Sequence, residues 1–140
     1  MTDRLHSVAT HEAGHAICAR KIVGGPIEVW LEPVGADWQG RCSHPTARSM
    51  GGEMAIVLAG TVAQLLDAGV PMLERMVEDC LWSERREDLR RAAAVDERLR
   101  RDALEEAQAT CQVHWGAITA LAERLTKPPH RARFAKGAWK

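Results

Sequence analysis

A chain of 140 residues has room for one domain whose apolar core needs neither disulfides nor a structural metal to hold it. Nineteen basic and 19 acidic residues balance to zero, which argues against a protein whose main partner is nucleic acid or an anionic membrane. Cys18, Cys42, Cys80 and Cys111 are widely separated, and no apolar run approaches the roughly 20 residues of a membrane span, so the expectation is a soluble, cytoplasmic protein with reduced thiols. Charge is unevenly spread. Five of the basic residues (Lys127, Arg131, Arg133, Lys136 and Lys140) fall in residues 127–140 with no acid among them, which leaves 1–126 with 14 basic against 19 acidic side chains.

A first helix is expected from Thr2 or Asp3 to about Val23, where Gly24-Gly25-Pro26 ends it. Ile27 to Leu31 alternates apolar and polar residues as a half-buried strand does, with Pro33 closing it. Gly35-Ala36-Asp37 then offers a turn, and Gln39 to His44 a return strand. From Ser49 or Gly51 to Ala68 the apolar spacing reads as a central helix, with Gly60 tolerated where another backbone comes close. Pro71 starts a third helix to about Leu81, and Ser83 a fourth through Val95. Leu104, Ala107, Cys111, His114, Ile118, Leu121 and Leu125 step by three and four and predict one long last helix. Beyond Pro128-Pro129 no apolar period remains, so 127–140 reads as a basic, mobile tail after a domain over 1–126.

The first helix carries His11-Glu12-Ala13-Gly14-His15. Residues four apart share a helix face, so two imidazoles can grip one zinc ion while Glu12 stands beside it. A hydrolytic zinc needs neutral imidazole ligands and a coordination position left for water, and a carboxylate beside it serves as general base. Two histidines leave such a site one protein ligand short, and a His, Glu or Asp must come from elsewhere. Small residues at Ala13 and Gly14 let the helix approach its neighbours. His6 points to the surface, and His114 lies on the apolar stripe of the last helix, as a core histidine does. His44 is a candidate for stabilising an oxyanion.

Thr10 to Ala16 resembles the zinc motif of the peptidase domain of FtsH-type ATP-dependent zinc proteases. Ala55 to Leu66, with Ala59-Gly60-Thr61-Val62-Ala63-Gln64, is similar to that family's second apolar helix, which carries an acidic or amide position. Glu87-Asp88-Leu89-Arg90-Arg91-Ala92 resembles the segment that supplies its third zinc ligand, with 72 residues between His15 and Asp88. The resemblance spans roughly residues 4 to 126 and implies zinc held by His11, His15 and Asp88, with Glu12 catalytic. Glu84 and Glu87 stand as alternatives for the third ligand, because Ser83 to Glu87 departs from the family's small, Gly-containing approach.

The sequence has no GxxxxGK[ST] phosphate loop and no transmembrane segment, so only the protease half of the family is represented. These features together predict a mainly helical α+β, zincin-like domain with a small β-hairpin. Its expected activity is ATP-independent, zinc-dependent hydrolysis of peptide bonds in unstructured or pre-unfolded segments. The alternatives are a non-catalytic interaction module on the same fold and a regulatory protease with one dedicated protein substrate. An extended substrate would lie along a sheet edge, formed by either the Ile27–Leu31 or the Gln39–His44 strand.

Overall fold

A computed structural model describes residues 2–69 and 96–135. The expected helices over 71–81 and 83–95, together with Cys80, lie outside the described residues. Helix α1 spans Thr2–Val23 and ends at Gly24 and Gly25, both at positive φ (79° and 94°), where a β-carbon would be disfavoured. The Gly24 N–H turns back to the Ala19 and Arg20 carbonyls, satisfying groups the helix end would otherwise leave open.

Strands β1 (Ile27–Val34) and β2 (Asp37–Ser43) form the hairpin, with Val34 opposite Asp37 across Gly35-Ala36 and Gly35 at φ 61°. Contrary to expectation, Pro33 does not close β1. The Leu31 N–H donates to the His130 carbonyl on the side away from β2, so the nitrogen of Pro33, two residues on, faces the same way. Among the described residues no strand residue remains there to pair with, and the missing donor costs no ladder bond.

Helix α2 (Met50–Asp67) starts where its sequence allows a cap. Ser49 Oγ accepts from the Gly52 N–H at 2.9 Å, and the Glu53 carboxylate reaches back to the Ala47 N–H at 3.0 Å. Helix α2 lies along α1 with small residues between them. A β-carbon on Gly14 would stand 2.6 Å from the Ala59 carbonyl oxygen and 2.7 Å from the Ala63 side chain, so this approach needs glycine.

The single last helix expected from periodicity is two helices, α3 (Glu97–Val113) and α4 (Trp115–Leu125), divided at His114 (φ −105°, ψ 25°). The apolar stripe survives the break, because Leu104, Ala107, Cys111, Ile118, Leu121 and Leu125 are all buried. What the bend changes is the partner: α3 packs chiefly on α2, and α4 on α1. Gly116, a poor helix former just after the bend, makes the break cheap. His114 itself is only half-buried at this corner.

The expectation of a mobile tail is also corrected over residues 131–134, while 136–140 lie outside the described residues. Arg131–Phe134 forms a third strand, β3, antiparallel to β1, with Trp30 opposite Arg131 and Ile27 opposite Phe134. Ala132 is buried beside Val29, and the Arg20 guanidinium sits 4.0 Å over the Phe134 ring. The result is α+β and mostly helical, with a three-stranded sheet in the order β2-β1-β3 among the described residues. Consequently β1 is interior and β2 is an edge. No helix among the described residues is long and apolar enough to cross a membrane.

Candidate functional site

His11, Glu12 and His15 come from the middle of α1, where the ladder of main-chain hydrogen bonds fixes their directions. His11 is fully buried, and Glu12 and His15 are buried with exposures of 5% and 9%. The rings of His11 and His15 meet edge to face, with centroids 4.5 Å apart, and their Nε2 atoms are 2.9 Å apart.

Their outer nitrogens decide what those Nε2 atoms are. His15 Nδ1 lies 2.7 Å from the Ile56 carbonyl oxygen, which can only accept, so Nδ1 carries the proton. His11 Nδ1 lies 2.7 Å from Gln64 Oε1, while the Gln64 amide nitrogen donates to Ser7 Oγ at 2.7 Å, which orients the amide so that its oxygen accepts from His11. With both protons on Nδ1, the two Nε2 lone pairs face each other, a juxtaposition that a shared proton or a bound cation can bridge. Two nitrogens on one tetrahedral zinc stand about 3.3 Å apart. The observed separation is a few tenths of an ångström shorter, and the donor set fits the metal.

Gly60 makes the room. A β-carbon there would lie 2.6 Å from His11 Cε1, His11 Nε2 and His15 Nε2. The tight approach at Gly60 is therefore by imidazole rings, and the close backbone approach expected there occurs at Gly14 instead. Gly40 does the same for the carboxylate, because a β-carbon on it would overlap Glu12 Cγ and stand 2.8 Å from Glu12 Oε2. Edge strand β2 thus runs directly over the general-base candidate. Cys42, two residues on, is a half-buried free thiol whose pKa is pushed up by desolvation and then by the Glu12 carboxylate. Behind the site the Cys111 thiol, pushed up to about 12 by burial, lies 3.7 Å from the Ala59 carbonyl.

Among the described residues no group of three His, Cys, Asp or Glu side chains is placed to hold a metal. Asp88, Glu84 and Glu87 lie outside the described residues. His44 has its Nδ1 2.8 Å from the Pro45 carbonyl, and His6 is exposed and 2.8 Å from Asp67. Gln64 and Gly40 were not singled out for the site from sequence. A glycine inside an alternating strand was the available signal for Gly40. For Gln64 it was the amide position in the second-helix likeness.

Replacing Gln64 by alanine removes the acceptor that orients His11 while leaving both imidazoles in place. Zinc affinity, measured by competition with a chromogenic chelator, should fall about 10- to 100-fold, and Gln64→Glu should retain most of it. The chain matches no protein-family model and no curated protein sequence.

Proposed function

We propose that this chain is a zinc-dependent, ATP-independent endopeptidase of zincin-like type, with His11, His15 and Asp88 as metal ligands and Glu12 as general base. The observation that carries the reading is the pair of Nε2 atoms 2.9 Å apart, each ring oriented by an acceptor at Nδ1, with Glu12 one residue along the same helix. Zinc held there would supply a Lewis acid that polarises the peptide carbonyl and lowers the pKa of water toward about 7.

The chain's own residues supply the rest. Glu12 takes a proton from the attacking water and delivers it to the leaving amine. Gln64 and the Ile56 carbonyl hold the two imidazoles in the tautomer that leaves Nε2 available as a ligand. An extended segment lies along β2, whose outer side has no strand partner among the described residues, so that main-chain hydrogen bonds align it over Glu12. That requirement for an extended chain restricts substrates to unstructured or already opened segments.

Metal analysis tests the reading directly. Purified protein should hold one zinc, chelation should stop cleavage of an unfolded protein, and added zinc should restore it. Asp88→Ala should lose metal while keeping its helical circular dichroism. Zinc retained at the wild-type level in that variant would move the third-ligand role to Glu84 or Glu87, and a wild-type chain that binds no zinc would end the proposal.

A further inference from the structure

On the other side of the sheet from β2, a cleft of about 540 Å³ opens where the turn after α4 meets β3. Arg124, Lys127, Arg131 and Arg133 line it against a single carboxylate, Glu28. Glu28 is taken up by Arg133, whose Nε and terminal nitrogen lie 3.0 Å and 2.7 Å from one oxygen. Lys127 has only an exposed neighbour, Glu123, at 3.6 Å. Arg124 and Arg131 have no ion-pair partner among the described residues. Unspent positive charge is therefore gathered at one place on a chain whose formal net charge is zero.

The backbone beside this charge is a sheet edge among the described residues. Because the Leu31 N–H donates to the His130 carbonyl, residues 130, 132 and 134 turn their main-chain groups toward β1. Those of Arg131 and Arg133 point the other way, where β3 has no strand neighbour among the described residues. Both arginine side chains are on the exposed face of the strand, two residues apart.

From this we infer that β3 and the basic cleft bind an extended polypeptide with acidic residues at alternate positions. Such a segment adds a strand to the β3 edge and sets its carboxylates opposite Arg131 and Arg133, with Arg124 and Lys127 closing over the end. A phosphodiester chain fits less well. It has no N–H groups to pair with the outward main-chain carbonyls of β3. Trp30, opposite both Arg41 and Arg131 in the register, does offer a stacking face, which makes single-stranded nucleic acid the rival to exclude.

Binding is read without cleavage, so this inference and the hydrolytic reading fail separately. The experiment is fluorescence anisotropy with a labelled peptide that alternates Glu and Val, using the full chain with Glu12→Gln to protect the probe. A peptide of the same composition with its Glu residues in one block and a labelled oligothymidylate are the comparisons. The alternating peptide should bind, and it should bind more tightly than the blocked one. Its affinity should fall about tenfold, or 1.4 kcal/mol, when Arg124→Glu and Arg131→Glu are combined, and should weaken with salt. Arg131→Gln alone, a milder change, should give a smaller loss with an unchanged melting curve. The inference is overturned if the alternating peptide does not bind, if both peptides bind equally, or if the arginine variants leave binding unchanged. Tighter binding of oligothymidylate with the same arginine dependence would assign the cleft to nucleic acid instead.

Discussion

Glu12→Gln in the purified chain should lower kcat for an unfolded protein substrate by roughly 100- to 10,000-fold while leaving about one zinc bound per molecule. The amide fills the same volume against Gly40 and keeps its hydrogen-bonding reach, but it cannot take a proton from water. Metal retention follows because both imidazoles keep the acceptors that orient them, Gln64 and the Ile56 carbonyl. Glu12→Asp separates position from basicity, since it keeps the carboxylate but withdraws it by one methylene from β2, and an intermediate rate is expected. Paired assays of cleavage and zinc content decide the matter. Undiminished cleavage by Glu12→Gln would remove the general base from the mechanism, and loss of zinc would mean that the carboxylate also helps hold the metal.

Gly60→Ala should damage the metal site more than any other single methyl group added to α2. Its β-carbon would stand 2.6 Å from atoms of both imidazoles, which their Nδ1 hydrogen bonds and the α1 backbone prevent from swinging away. Relief must come from moving α2 off α1, at about 1–3 kcal/mol for an overpacked core. Gly14→Ala is the control. Its β-carbon would meet the Ala59 carbonyl oxygen and the Ala63 side chain at similar distances, but neither imidazole. Both variants should therefore melt several degrees lower, by about 3–10 °C for this cost, whereas zinc bound per folded molecule should drop further in Gly60→Ala. Calorimetry beside metal analysis reads the two effects separately. Equal zinc in both variants would mean that the Gly60 cavity serves helix packing alone.

Several features that place the site are local, and those were legible. The His11, Glu12 and His15 pattern needs only that α1 be helical and continuous, and the stop at Gly24-Gly25 needs only two residues at positive φ. The start of α2 was readable because Ser49 caps it from three residues away. The turn at Gly35-Ala36 follows from the preference of glycine for positive φ. Each depends on side chains within a few residues of one another, where sequence distance and spatial distance agree.

The remaining features depend on segments far apart in the chain. Arg131–Phe134 alternates basic and apolar side chains over only four residues, too short a run to stand out, and it becomes a strand because β1, about a hundred residues earlier, offers it a ladder and a place to bury Ala132. The same pairing makes β1 interior and leaves β2 as the edge above Glu12. The bend at His114 leaves the apolar period intact and shows itself only in the different partners of α3 and α4. By itself the sequence determined which three side chains share a helix face and what chemistry they suit, because helix geometry is set by neighbours in the chain. Tertiary structure decided that their Nε2 atoms converge, that Gly60 and Gly40 make room for them, and that Gln64 orients His11, because those contacts are made between elements that only folding brings together.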